Sequence, residues 1–325
     1  MYTIMEKIKK KALDSSKKLL FFEVEDKRIL KAATLLSELG IKIVLVGNRE
    51  KILNSFRLFG LNFNEKIFII EINNHFVGLL SEKLFELRKE KGLSLDEARK
   101  LVGYREYFSV MLVKCGYADA MVGGAVTHTG KILKPALQIL RSKGKTVSSF
   151  FSMIFPDKLF LFADCAMNIN PDAEQLADIA INTSECCYMF GMMPKVAMLS
   201  FSTKGSSNHE SVEKVREATA IVRNKKPELI IDGELQADTA IVEHVAKIKL
   251  RNKVGDNLIM GDANVLIFPD LNSGNIAHKL VHRLSVCKAI GPIMVGLEKP
   301  VNDLSRGCSV EDIVDLSLVS LVQCV

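Results

Sequence analysis

Three short apolar, β-rich runs, at residues 19–24, 41–46 and 67–72, constrain the fold of this chain more than any other feature. Residues 26–39 between the first two have helical spacing and stop at Gly40. Strands separated by helices of that length cannot pair as hairpins. They build a mostly parallel sheet, covered by helices on both faces, whose strands are apolar nearly throughout.

Residues 76–91, 94–101 and 104–115 read as three successive helices, 118–123 as a strand, and 130–142 as a helix after a glycine turn. The pattern then changes. Runs 147–155 and 159–164, joined by Pro156-Asp157-Lys158, predict a hairpin. A helix over 172–190 has Pro171 ahead of it and Gly191 and Pro194 behind it. Strand 195–200 follows, and Ser207 and Glu210 have capping-box spacing before a helix that ends ahead of Pro227. Strand 229–232, helix 236–248, strand 264–269 and helix 273–287 complete a second α/β unit. The last helix, 309–322, places Val310, Ile313, Val314, Leu318 and Leu321 on one face.

A chain of 325 residues has room for about two domains. No segment has the roughly 18 uncharged apolar residues of a membrane span. Residues 1–20 mix lysines with isolated apolar residues, unlike a secretory signal. Seven cysteines without a Cys-x-x-Cys pair read as reduced thiols, which implies the cytoplasm. The net charge of +6 is spread along the chain, dense only at Lys7, Lys9, Lys10 and Lys11. That distribution argues against nucleic acid and suits a phosphorylated small molecule drawn into a cleft.

The most legible chemistry lies in Val301-Asn302-Asp303-Leu304-Ser305-Arg306-Gly307-Cys308-Ser309-Val310-Glu311-Asp312. An arginine fork, a hydroxyl and helix-start amides make an anion clamp, and a carboxylate follows within one turn. Moving an acyl group from a phosphate to a thiol needs those two functions. The competing structural reading is a capping box at Ser309 with Arg306 paired to a surface carboxylate. Elsewhere, Gly123-Gly124-Ala125-Val126-Thr127-His128-Thr129-Gly130-Lys131 follows a strand and opens a helix. Five residues rather than four separate Gly124 from Gly130, and Ile132 follows the lysine, so it is not a nucleotide phosphate loop. Close approach of a ligand to its backbone remains reasonable. His278 and His282 have i, i+4 spacing but no glutamate between them and no evident third ligand, so they read as core-edge or solvated residues, not a metal site. Cys308, near Arg306 and a helix start, has surroundings of the kind that lower a thiol pKa, which opens an acyl-cysteine route. Packing explains it equally well. Cys165, Cys186 and Cys187 read as core thiols.

Several ordered stretches resemble the phosphate acetyltransferases (phosphotransacetylases) of the phosphate acetyl/butyryltransferase family. They are Glu86-Leu87-Arg88-Lys89-Glu90-Lys91-Gly92, Leu133-Lys134-Pro135-Ala136-Leu137-Gln138, residues 164–171, Asp232-Gly233-Glu234-Leu235-Gln236-Ala237-Asp238, Phe268-Pro269-Asp270-Leu271-Asn272-Ser273-Gly274-Asn275, and 299–312. The resemblance spans nearly the whole chain. It implies a two-domain α/β fold similar to the isocitrate and isopropylmalate dehydrogenases, with the active site in the interdomain cleft. Domain I would comprise 1–144 plus 300–325 and domain II 145–299, usually as a homodimer. It implies reversible exchange of acetyl phosphate plus coenzyme A for acetyl-CoA plus phosphate, with no cofactor beyond CoA as substrate, no metal, no nucleic acid and no membrane. By motif, Ser305 and Arg306 match residues that hold phosphate and carbonyl, and Asp312 matches the proposed base. Arg88 matches a CoA-binding arginine, and Lys134 stands where the family often has another. Lysine keeps that charge but not the bidentate fork.

On this reading the CoA thiol attacks the acetyl carbonyl directly, both substrates being bound together, and Asp312 takes the thiol proton. A free carboxylate and a free thiol differ enough in basicity that complete transfer is uphill by about 6 kcal/mol, so the site must stabilise the thiolate. Alternatives are a phosphate butyryltransferase, a nicotinamide-dependent dehydrogenase of similar fold, and a non-catalytic CoA- or phosphate-binding protein. No Gly-x-Gly-x-x-Gly fingerprint supports the dehydrogenase.

Overall fold

A computed structural model describes residues 4–251 and 257–325. The chain divides into two compact units, Met1–Lys143 with Leu297–Val325, and Gly144–Gly296. The first opens with α1 (Ile4–Asp14), β1 (Lys18–Phe21), α2 (Lys27–Glu38), β2 (Lys42–Val46), α3 (Arg49–Leu58) and β3 (Ile67–Ile70). It continues through α4 (Asn74–Arg88), α5 (Leu95–Val102), α6 (Arg105–Lys114), β4 (Ala120–Gly123) and α7 (Thr129–Ile139). The second unit contains β5 (Ser148–Ile154), β6 (Leu159–Ala163), α8 (Ala173–Cys186), β7 (Lys195–Leu199), α9 (Glu210–Lys225) and β8 (Ile230–Leu235). It ends with α10 (Ala237–Ile241), α11 (Glu243–Lys249), β9 (Val265–Ile267), α12 (Leu271–Leu284) and β10 (Lys288–Val295). The chain then returns to the first unit as β11 (Val301–Asp303) and α13 (Val310–Val322).

The first sheet is wholly parallel, in the order β11-β4-β1-β2-β3. Strands β1, β2 and β3 run outward one way, while β4 and β11 lie on the other side of β1. That reversal leaves a crevice at the carboxyl edge of β1 and β4, where open parallel sheets bind ligands. Leu19, Leu20, Ile43, Val44 and Leu45 are buried, and Phe108, Met111 and Leu112 of α6 pack into the core that contains Leu20 and Val44.

The second sheet, ordered β10-β5-β6-β9-β7-β8, is mixed rather than mostly parallel. The predicted hairpin of β5 and β6 is antiparallel, closed by the Phe155 N–H donating to Lys158 O at 2.8 Å. Strand β10, not anticipated from sequence, adds antiparallel to β5. Gly291 and Pro292 interrupt its pattern, and its pairing register breaks between Ile290 and Ile293. An edge strand tolerates a proline that an interior strand would not.

Three further local readings change. His209, not Ser207, caps α9, accepting from the Ser211 N–H, while the Ser207 N–H donates to Ser202 Oγ. The helix expected over 236–248 is two helices, α10 and α11, separated at Val242. Helix α13 is buried on nearly every side, including Ser317 and Ser320. These two serines satisfy their hydroxyls on Ile313 O and Leu316 O, which lets a helix carry polar residues inside a core.

Candidate active site

The site begins with β11, a strand that the sequence pattern does not predict. Val301, Asn302 and Asp303 pair in parallel with Met121, Val122 and Gly123. Two of these three residues are polar, yet all are buried, so no apolar run announces the strand. Asn302 Nδ2 donates to Ser320 Oγ and to Gln323 Oε1, both at 2.7 Å, which ties β11 to α13. Parallel pairing brings the chain after Asp303 and the chain after Gly123 out of the sheet side by side. The chain after Phe21 leaves the same edge one strand over.

The 304–309 connection is a tight turn: the Cys308 N–H donates to Ser305 O at 2.9 Å. Ser305 and Arg306 are exposed, and among the described residues the Arg306 guanidinium makes no hydrogen bond or ion pair. The surface pairing weighed above for Arg306 is therefore not seen. The capping box at Ser309 is present: its Oγ accepts from the Asp312 N–H at 3.1 Å, and Asp312 Oδ2 accepts from the Ser309 N–H at 2.8 Å. Asp312 is exposed in the first turn of α13 and has its other oxygen left for chemistry.

Arg28 holds this turn from below, and sequence reasoning missed it. Asp26 caps α2 and grips the Arg28 guanidinium through Nε at 3.1 Å and Nη2 at 2.7 Å. The same guanidinium donates to Arg306 O at 2.9 Å, Cys308 O at 2.8 Å and Ala125 O at 2.9 Å. One planar fork thus sews together the connections that follow β1, β4 and β11. The hydrogen bond from Arg28 holds the Asp26 carboxyl below its usual range.

The glycine loop after β4 does receive an anion, but an internal one. Glu23 is buried, and its carboxylate accepts from four successive backbone N–H groups: Gly124 at 2.8 Å, Ala125 and Val126 at 2.9 Å, and Thr127 at 2.6 Å. Gly124 has φ +106°, and a Cβ there would lie 2.3 Å from Asp303 Oδ1, so only glycine fits. Asp303 is itself buried. Burial raises its carboxyl to about 6, the Thr129 hydroxyl opposes this, and the Glu23 charge adds to it. Thr129 Oγ1 donates to Asp303 Oδ2 at 2.6 Å.

Cys308 has surroundings opposite to those expected. Its thiol is buried and pushed above the ordinary cysteine value by that burial, which Arg28 only partly offsets. The nearby cation is Arg28, at 3.8 Å, not Arg306. Arg88 is half-buried at the end of α4 and donates to Gln138 O at 2.8 Å. Lys134, one turn earlier on α7, is exposed. The two cations are thus linked through α7, which starts where the 124–128 loop ends.

In the second unit, His278 stacks on Phe151 at 4.1 Å, and burial lowers it to about 4, as befits a core-edge residue. Among the described residues there is no cluster of three or more His, Cys, Asp or Glu suited to a metal, and no helix is long and apolar enough to cross a membrane.

The family model for phosphate acetyl/butaryl transferase matches residues 3–321. A phosphate acetyltransferase from Thermoanaerobacterium thermosaccharolyticum is 45% identical to this chain, covering 99% of each. Two solved structures align with TM-scores of 0.90: a phosphotransacetylase from Streptococcus pyogenes, 41% identical, and one from Staphylococcus aureus, 38% identical. Each alignment covers 99% of this chain and 98% of the other. Identity at this level over the whole length leaves one conclusion: the chain belongs to the phosphate acetyl/butaryl transferase family.

Proposed function

We propose that this chain moves an acetyl group reversibly between acetyl phosphate and coenzyme A. The observation that carries the reading is the unpaired Arg306 guanidinium beside Ser305, one turn from the Asp312 carboxylate, at the carboxyl edge of a parallel sheet. The CoA sulfur forms a bond to the acetyl carbon, giving a tetrahedral intermediate. The bond from that carbon to the bridging phosphate oxygen then breaks, and the electron pair leaves with phosphate. The thiol proton passes to Asp312 and from there to the departing phosphate or to solvent. Arg306 and Ser305 stabilise the negative charge on the intermediate and on the leaving group, where preorganised donors contribute most. They also favour the thiolate, which offsets the weak basicity of a carboxylate. The raised thiol of buried Cys308 favours this direct route over an acyl-cysteine.

Arg88 and Lys134 supply charge for the CoA phosphates, and Arg88 is already oriented by Gln138 O. We assign the two α/β units to the fold of the isocitrate and isopropylmalate dehydrogenases, a reading supported by one parallel and one mixed sheet, each flanked by helices. A homodimer is supported by the exposed apolar row Ile276, Leu280 and Leu284 along α12. Seven free thiols fit a cytoplasmic enzyme.

Thioester absorbance, followed on mixing acetyl phosphate with CoA, tests the reading. Saturable formation of acetyl-CoA supports it, and none over background rejects it. Propionyl and butyryl phosphates run in parallel decide acyl length; a clear preference for butyryl phosphate would favour the butyryltransferase alternative.

A further inference from the structure

Loops that pass from a strand to a helix and present consecutive backbone N–H groups ordinarily wait for a phosphate. In this chain that place is taken. The Glu23 carboxylate, 4% exposed, fills it with four hydrogen bonds of 2.6–2.9 Å, two to each oxygen. Each contact spans more than 100 residues of sequence. The loop so held and the residues that flank it, Gly123 and Thr129, are bonded in three ways to the strand and turn that carry Ser305 and Arg306. Gly123 O accepts from the Leu304 N–H at 2.6 Å, and Thr129 Oγ1 donates to Asp303 at 2.6 Å. Ala125 O shares the Arg28 guanidinium with Arg306 O and Cys308 O.

We propose that Glu23 is a positioning residue for acetyl transfer: its carboxylate is a built-in anion that shapes the 124–127 loop, sets the backbone of the 305–308 turn through it, and excludes inorganic phosphate from those amides. The inference rests on the transferase reading of the preceding section. Its chemistry explains why exclusion matters. Phosphate is a substrate in one direction and a product in the other, so an open phosphate nest joined through Arg28 to the turn that carries the productive clamp would hold a second phosphate non-productively beside it. A fixed carboxylate closes that nest without blocking Arg306.

Kinetics of the full-length protein test this. Glu23→Gln conserves volume but turns one oxygen into a donor facing two N–H groups. It should lower kcat/KM for acetyl phosphate by about 10²-fold, the scale of a displacement of about 1 Å at a reacting group, and leave KM for CoA at the wild-type value. Glu23→Asp keeps the charge and should retain more activity than the glutamine variant. Glu23→Ala opens the nest. Formate should then restore acetyl-phosphate turnover in a saturable way while leaving the wild type unchanged, and inorganic phosphate should newly protect the 124–127 amides from hydrogen exchange. Circular dichroism establishes that each variant is folded. If Glu23→Gln does not fold, Glu23→Asp and the formate response of Glu23→Ala decide the matter. Wild-type kinetics in folded variants, a rise in KM for CoA as large as the loss in kcat/KM for acetyl phosphate, or a loss indifferent to formate and equal in Asp, Gln and Ala overturns the proposal. Absence of turnover by the wild type would instead refute the transferase reading itself.

Discussion

Asp312 sits where a structural and a chemical role coincide, and a single isosteric change separates them. Its Oδ2 completes the capping box at Ser309, which asparagine can also do through its own side-chain oxygen. Asp312→Asn should therefore fold with a melting temperature near that of the wild type. If Asp312 takes the thiol proton, kcat should fall by about 10² to 10⁴ with little change in KM. A loss confined to KM would remove Asp312 from the proton path. Asp303 offers a second test at this scale. Its carboxyl titrates near 6 in the folded chain, above its ordinary 3.8, because burial disfavours the charge. The folded state therefore holds this proton more tightly than the unfolded state does. The stability it contributes is full below about 3.8 and is lost as pH rises to about 6, a loss of up to about 3 kcal/mol. Asp303→Asn cannot ionise. Its melting temperature relative to the wild type should rise between pH 5 and pH 7.5, and a gap that stays constant across that range would rule out Asp303 as the titrating group.

Both units use the same device at the level of elements. In the first, Glu23 fills the amides that follow β4. In the second, Glu234 at the end of β8 accepts from the Gly205 N–H at 2.7 Å, Ser202 Oγ at 3.0 Å and Arg216 Nε at 2.9 Å, which pins the loop after β7. Burial pushes the Glu234 carboxyl up, but Arg216 and those hydrogen bonds outweigh it and bring it down to about 2 from an ordinary 4.5. The stability it lends is present above about 4.5 and is lost as pH falls toward about 2. Acid unfolding followed by circular dichroism should thus be shallower between pH 4.5 and 2 in Glu234→Gln, from a lower starting stability. Identical acid profiles would dismiss the linkage. For the first unit, Gly124→Ala sets a Cβ against Asp303 Oδ1 and the Leu304 backbone in a left-handed conformation. That change should cost about 3 kcal/mol or more and lower the melting temperature by roughly 10 °C.

Taken whole, the molecule completes its first unit with its last residues. Strand β11 pairs with β4, and α13 lies against α1 and α2, burying Ile313, Leu316, Leu318, Val319, Leu321 and Val322. Six such side chains are worth about 10 kcal/mol, comparable to the entire stability of a domain. Ending the chain at Pro300 should therefore leave the first unit unfolded and open to proteolysis, while the continuous 144–296 unit keeps a protected core. Limited proteolysis with mass spectrometry reads this directly. A protected 1–143 segment in the truncated chain would contradict it.

Patterns local to a few residues could be read from the sequence. Apolar runs located β1, β2 and β3, and spacing located most helices. The Ser309 and Asp312 side chains reach backbone groups only three residues away, so the capping box was visible as well. The Ser305, Arg306 and Asp312 cluster and the family motifs were enough to point to acyl transfer. What lay beyond local reach was decided only on folding. Strand β11 is polar and exists because β4 offers it an edge and α13 satisfies Asn302. Cys308 looked activated beside Arg306, yet its neighbouring cation comes from position 28 and burial governs its thiol. The glycine loop looked open to a ligand until Glu23 reached it from 100 residues away. Backbone hydrogen bonds and desolvation act through space, and the sequence orders residues only along the chain.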